Sequence, residues 1–303
     1  MNVNNEYPPN EHIPVLIQGL AGQISLPRDG IMVDATVGHG GHSLLFGKTM
    51  GPEGTIFGMD VDQGCLKRAH SILSELSCKV VLVRENFAQI AEVLHDQGIE
   101  KVDLILADLG FCSAQVSDRQ KGLSFQENMP LDMRLDSRLK TTASDLVNSL
   151  KEAALADLLF DFAEERASRR IARFIVQQRQ SQPITTTAQL SSIVCRALNQ
   201  APKTGKIHPA TRTFQALRIA VNDELENLKK LLGSAPDLLK ANAFIAVISF
   251  HSLEDRIVKE DFRDNKGAGI YEILTKKPII PLRAEVLQNP RARSAKLRIA
   301  RRI

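Results

Sequence analysis

The sequence has no tryptophan and only two tyrosines in 303 residues. Any surface that stacks on a nucleobase must therefore use phenylalanine or arginine. Cysteine is sparse as well. Cys65, Cys78, Cys112 and Cys195 are scattered, and no pair has the spacing of a metal site or a redox motif. Isolated reduced thiols and no bound metal are expected. Long hydrophobic runs are missing: the longest apolar stretch, near Ala243–Phe250, is far too short to span a bilayer. The opening MNVNNEYPPNEHIP lacks the basic-then-apolar pattern of a secretory signal. A cytoplasmic chain without a membrane partner is the expectation. Nor is there a strong charge of one sign. The net charge is only +4, so the distribution of charge says more about nucleic acid than its total.

What is present is the balance of a folded protein, 43% hydrophobic and 24% charged residues. The length suffices for one large domain or two modest ones. Up to Asp108 the chain alternates between two periods. Gly30–Ala35, Thr55–Met59, Lys79–Val83 and Val102–Ala107 are short apolar runs of strand length. Leu44–Met50, Gln63–Leu76 and Phe87–Gln97 between them read as helices. Such βα repeats build a parallel sheet with helices on both faces.

The pattern then changes. Ser113–Arg138 is polar and turn-rich, and from Thr142 to about Asn199 the sequence is almost wholly helical. Thr142 and Asp145 have capping-box spacing, a basic helix is expected over Glu164–Gln178, and another over Thr187–Asn199. Arg212–Leu232 reads as one amphipathic helix, with Phe214, Leu217, Val221, Leu225 and Leu228 on one face. Sheet-like sequence returns at Ala243–Ser249, Tyr271–Leu274 and Lys296–Ala300, with Ser252 and Asp255 spaced to cap the helix between. The fold expected is α/β: a Rossmann-like sheet domain, residues 1–115 and 206–303, interrupted by an all-helical insert, residues 116–205. An insert at a strand-end loop is cheap, since the loop's ends lie close together.

Three strand ends carry the chemistry. After the first comes DATVGHGGHS, Asp34–Ser43, whose glycines permit a tight turn and close approach of a ligand to the backbone. It is neither a clean GxGxxG fingerprint nor a Walker motif. After the second comes Asp60, placed to accept both hydroxyls of a ribose or merely to cap the next helix. After the fourth comes ADLGFCSAQ, Ala107–Gln115. Amino-group methyltransferases commonly set an acid and an aromatic ring at this point, so Asp108 can hold an amine and Phe111 can stack on a base.

These pieces resemble the RsmH family, also called MraW, the bacterial 16S ribosomal RNA cytidine N4-methyltransferases. The resemblance runs through HIPVL at His12–Leu16, GHGGHS at Gly38–Ser43, DVD at Asp60–Asp62, DLG at Asp108–Gly110, PLDMRLD at Pro130–Asp136, EER at Glu164–Arg166 and RRIARFIV at Arg169–Val176. It continues through HPATRTFQALRIAVNDEL at His208–Leu225, SFHSLEDRIVK at Ser249–Lys259 and NPRARSAKLRIA at Asn289–Ala300. It implies a class I methyltransferase domain with an inserted helical, RNA-recognising domain. It also implies S-adenosylmethionine as methyl donor, and as substrate one cytidine in the decoding region of 16S rRNA, in the small subunit or a late assembly form of it. A homodimer is among the partner expectations. By motif the cofactor falls to Gly40, Gly41, His42, Asp60, Phe87, Asp108 and Gln115, and the chemistry to Asp108, Phe111 and His251. The loop departs from the family's usual DLGVSSPQ at Phe111, Cys112 and Ala114.

The polar clusters keep two readings each. Arg166, Arg169, Arg170 and Arg173 recur at helical spacing, as a phosphate-binding stripe or as a solvated face paired with Glu164 and Glu165. From Lys266 onward ten basic residues stand against two acids, Glu272 and Glu285, so this end carries +8 and the rest −4; RNA is one reading of that asymmetry and a plain solvated surface the other. His251 can act as a base, order a loop or hold the target nucleotide. Asp132 and Arg134 can pair with each other or anchor the loop to the cofactor pocket. Two other functions use a similar glycine turn and acid: a nicotinamide dehydrogenase, and a non-catalytic ribosome-assembly factor that has kept a cofactor pocket.

Overall fold

The computed structural model describes residues 14–112, 115–116, 118–125, 127–202 and 207–303. His12, Ile13, Ser113 and Ala114 of the motifs above lie outside these. Two compact units emerge. One combines the described residues through Cys112 with Glu226–Ile303, and the other spans Ser113–Leu225.

The first unit holds a seven-stranded sheet of β1 (Ile31–Asp34), β2 (Thr55–Met59), β3 (Lys79–Val83), β4 (Val102–Asp108), β5 (Leu239–Ser249), β6 (Tyr271–Ile273) and β7 (Lys296–Arg302). Its order is β3-β2-β1-β4-β5-β7-β6. Strands β1 to β5 pair in parallel. The expected all-parallel sheet fails at one strand: β7 lies antiparallel to both β5 and β6. An antiparallel neighbour needs no crossover helix, so β7 can enter between β5 and β6.

Side-chain alternation explains why both faces are covered. Val33, Ile105, Ala107, Ile245 and Val247 pack into one core with Ile90, Leu228, Leu231 and Phe262. Their immediate neighbours Met32, Leu104, Leu106, Ala246 and Ile248 pack into another with Leu20, Phe46 and Leu297. A period of two with both faces apolar is the signature of a sheet between helix layers. The helices of this unit include α1 (Ile17–Ala21), α2 (Gly41–Gly47), α3 (Gln63–Leu73) and α4 (Ile90–Asp96).

The second unit is helical among its described residues. It contains α5 (Ala143–Ser149), α6 (Glu152–Ala163), α7 (Ser168–Ser181), α8 (Thr187–Leu198) and α9 (Thr211–Asn222). Thr142 and Asp145 do form a capping box. The basic helix starts later than expected. Helix α6 ends at Ala163, Glu164 turns left-handed (φ 49°), and α7 begins at Ser168.

The helix expected over Arg212–Leu232 is two helices. Asp223 is left-handed (φ 51°), and α10 (Glu224–Leu238) starts immediately after it. The break is secured by Arg218, whose Nε and Nη2 each donate to Glu224 at 2.8 Å. Asn222 also spans to the loop, donating to Met133 O and accepting from Leu135 N, both at 2.8 Å. Heptad-like spacing cannot reveal a one-residue break whose two sides keep their apolar faces. The same break moves a boundary: α9 belongs to the helical unit, because Phe214, Leu217 and Val221 join its core with Leu155, Leu159 and Ile171.

Candidate active site

The strand order fixes where a ligand can bind. From β1 the chain winds outward through β2 and β3, then returns to β4 on the other side. Between β1 and β4 the connections leave in opposite directions and open a crevice at the carboxyl ends. The glycine turn, Asp60 and Asp108 all follow strands at that edge.

Asp34 closes β1 and is buried. Its carboxylate accepts from Ser43 Oγ at 2.7 Å and from Thr36 N at 3.3 Å. Burial raises its pKa above the ordinary carboxylate value, although His42 and Ser43 oppose this. Thr36 in turn accepts from the Asp108 backbone N–H at 2.6 Å, tying the glycine turn to the end of β4. Gly40 caps α2 with φ 87°, a conformation that favours glycine. Gly41 is small for a packing reason: a Cβ there would lie 2.1 Å from the Pro14 ring.

His42 is buried and bonded through Nε2 to Val15 O at 2.9 Å. A carbonyl only accepts, so Nε2 carries a proton. The other ring nitrogen, Nδ1, lies 3.7 Å from Asp108 Oδ2. Asp108 Oδ1 is buried with no hydrogen-bond partner among the described residues. An orphaned buried carboxylate oxygen is costly, and it makes an acceptor ready for a donor from outside the chain. Burial is the main reason that the Asp108 pKa is pushed up to about 6; His42 lowers it, while Asp34 and Glu254 raise it.

Asp60 sits at the end of β2, with Oδ2 accepting from Gly38 N at 3.0 Å and Oδ1 from Asp62 N at 2.8 Å. Each oxygen keeps a lone pair for a further donor. Burial pushes its pKa up to about 7 against these two hydrogen bonds. Phe87 starts a single turn, Phe87–Gln89, capped by Asn86, and packs half-buried on the sheet core. Phe111 is half-buried after Gly110, whose φ is 124°. Gln115 is buried and belongs to the second unit.

His251, not Ser252, caps the helix after β5, and Glu254 rather than Asp255 completes the box. His251 Nδ1 accepts from Glu254 N at 3.4 Å. Glu254 Oε2 accepts from Phe250 N at 2.8 Å. His251 Nε2 lies 3.1 Å from Glu254 Oε1 but out of line, without a hydrogen bond among the described residues. A ring whose Nδ1 accepts must carry its proton on Nε2, which makes His251 a donor at rest.

The crevice thus gathers Asp34, Thr36, His42 and Asp108 in one polar cluster, with Gly38 and Asp60 beside it. Sequence reasoning missed Thr36 and the Asp34–Ser43 bond; the acid ending β1 was the available signal. It also missed the approach of two cysteines far apart in sequence, Cys65 Sγ and Cys112 Sγ at 3.4 Å.

The basic clusters divide. Arg169, Arg170 and Arg173 are exposed on α7 opposite its buried Ile171, Ala172 and Ile175. Glu165 is buried and accepts from Ala167 N at 2.9 Å just before α7, and among the described residues it has no ion pair with the arginines. Part of the C-terminal charge is structural. Arg298 and Lys296 both bind Asp255, at 2.7 and 3.2 Å, and Arg301 binds Glu272. Asp132 and Arg134 pair with each other at 2.7 and 2.8 Å.

The chain is similar to known proteins over nearly its whole length. The sequence model of the MraW methylase family matches residues 9–303. A ribosomal RNA small subunit methyltransferase H of Cyanothece sp. is 48% identical over 292 residues, 96% of this chain and 95% of its own. The protein of the same name from Acidobacterium capsulatum is 46% identical, covering 95% and 97%. Among solved structures, an rRNA methylase from Streptococcus thermophilus aligns over 92% of this chain and 89% of its own, at 9% identity with a TM-score of 0.42. The match through nearly the whole length, with a glycine turn and two strand-end acids in one crevice, makes this chain a methyltransferase that belongs to the MraW methylase family.

Proposed function

We propose that the protein transfers a methyl group from S-adenosylmethionine to the exocyclic N4 amine of a specific cytidine in the decoding region of 16S rRNA. Its substrate in this reading is the small ribosomal subunit or a late assembly form. The relatives' name, ribosomal RNA small subunit methyltransferase H, supports rRNA as the substrate class. The observation that carries the reading is Asp108, a buried strand-end carboxylate with one oxygen lacking a hydrogen-bond partner among the described residues.

The crevice suits a nucleoside cofactor. Asp60 has lone pairs left for ribose hydroxyls, and the turn at Gly38, Gly40 and Gly41 brings backbone to the ligand edge. His42, Phe87 and Gln115 complete the proposed cofactor contacts. S-adenosylmethionine supplies an electrophilic methyl carbon on a sulfonium sulfur. Asp108 has the harder task. A cytosine amine is a weak nucleophile, because its lone pair is delocalised into the ring. A carboxylate accepting its N–H hydrogens aims the nitrogen and favours the positive charge that grows on it. Bound there, S-adenosylmethionine would give up its methyl carbon from sulfur to this nitrogen, and the methylated amine would shed a proton to solvent.

Phe111 is proposed to hold one face of a base swung out of its stack. His251, with its resting proton on Nε2, suits holding the target nucleotide better than removing its proton. The exposed arginines of α7 are proposed to bind phosphate. Label transfer from S-adenosylmethionine to small-subunit rRNA, comparing free cytidine, naked rRNA and assembled subunits, tests the reading. Methylation at a cytosine N4 supports it, and label elsewhere or none in any of the three overturns it.

A further inference from the structure

A second cluster stands at the same sheet edge and is not used by methyl transfer. His39 lies in the glycine turn after β1, Cys65 in the first turn of α3 after β2, and Cys112 in the loop after β4. Topology alone brings these three distant positions together. One ligand-capable atom from each lies within 4.8 Å of the others. The two sulfurs are 3.4 Å apart, and the His39 ring is hydrogen-bonded to the Cys112 side chain. Cys65 is buried, and His39 and Cys112 are half-buried.

Two thiols and an imidazole form a soft donor set. Zinc takes sulfur at about 2.3 Å and nitrogen at about 2.0 Å, tetrahedrally. Two such sulfurs on one ion stand about 3.8 Å apart by that geometry, close to the separation found here. A disulfide requires about 2.05 Å, a much larger movement.

We propose that His39, Cys65 and Cys112 bind one zinc-class divalent ion at the carboxyl edge of the sheet, with the fourth position open to water. This site does not depend on the methyl-transfer reading. The test is titration of the full-length, reduced protein with Co2+, a spectroscopic stand-in for Zn2+. A thiolate-to-cobalt charge-transfer band saturating at one ion per chain is expected, with displacement by Zn2+. Cys65→Ser and Cys112→Ser should lose the band, and His39→Ala should weaken binding at least tenfold. Cys195→Ser, at a cysteine outside the cluster, should bind as wild type. Circular dichroism guards against misfolding; if Cys65→Ser fails to fold, the half-buried His39→Ala and Cys112→Ser decide. No band, or a band kept in Cys112→Ser, overturns the proposal. So does a reduced protein that binds no metal but forms a Cys65–Cys112 disulfide on mild oxidation.

Discussion

His42 turns one ring nitrogen toward Val15 O at 2.9 Å and the other toward Asp108 Oδ2 at 3.7 Å. The first contact commits the Nε2 proton. The second then faces a lone pair toward a carboxylate oxygen unless a further proton resides on one of them. In the reading proposed above, the active form has the carboxylate ionised. With Asp108 pushed up to about 6, the single-turnover rate should rise with pH through about 6 and level off above it. A rate that is flat from pH 5 to 8 would remove the need for an ionised Asp108.

Asp108→Ala should lose methyl transfer by about a hundredfold or more, the scale of a removed charge-stabilising group. The loss should persist with RNA and S-adenosylmethionine both saturating. If Asp108 acts only on the cofactor, high S-adenosylmethionine restores the rate, and single-turnover measurements at several cofactor concentrations distinguish the two.

Asp60→Ala should weaken S-adenosylmethionine binding by about ten- to a hundredfold, the effect of losing a charged acceptor, as read by calorimetry. A stability signature accompanies it. Folding raises the pKa of Asp60 from 3.8 to about 7, so the folded state holds the proton more tightly than the unfolded one. The stabilisation is complete below about pH 4 and is lost as pH rises through about 7. Urea denaturation of the cofactor-free protein should show stability falling across that window, and Asp60→Asn should flatten the slope. An unchanged slope in Asp60→Asn refutes the assignment.

Reversing Arg169 and Arg173 to Glu should weaken RNA binding and leave cofactor affinity intact. Among the described residues, Arg169 has no ion pair, and Arg173 has only a 3.9 Å approach to Glu152. Each lost phosphate contact should reduce the salt dependence of binding by about one unit of slope. Equal RNA affinity in the double variant returns this face to plain solvation.

Asp255→Ala should destabilise the protein by about 3 kcal/mol, because it strands the buried Arg298 without its partner. Burial would raise the Asp255 pKa, but hydrogen bonds from Arg298 and Lys296 outweigh it and hold it below the ordinary value. This contribution is present above the unfolded carboxylate pKa and is lost as pH falls through the lower, folded value. Thermal melts at pH 7 check the size of the loss; a shift within error means that the pair contributes little.

The strands β1 to β4 were legible because their pattern is local: short apolar runs, each ending at a turn or an acid. Asp34, Asp60 and Asp108 stood out for the same reason. The break at Asp223 was hidden, since Phe214 and Leu228 keep helical spacing across it, and only the Arg218–Glu224 and Asn222–Met133 contacts reveal it. The cap of the helix after β5 was misplaced by one residue, because serine is the commoner cap and a histidine ring takes that place here.

By itself the sequence determined the βα alternation, the helical middle, the acids at the strand ends and, through its long motifs, the family. Those features depend on neighbours within one or two turns of chain, or on words long enough to recur only by descent. Tertiary structure alone decided what each acid touches. It set the antiparallel course of β7, the approach of His42 to Asp108, and the meeting of His39, Cys65 and Cys112 from three different segments. It also turned part of the C-terminal positive charge inward onto Asp255. The physical reason is common to all of these: a hydrogen bond or a ligand set depends on distances between residues far apart in the chain, and those distances exist only once the sheet has chosen its strand order.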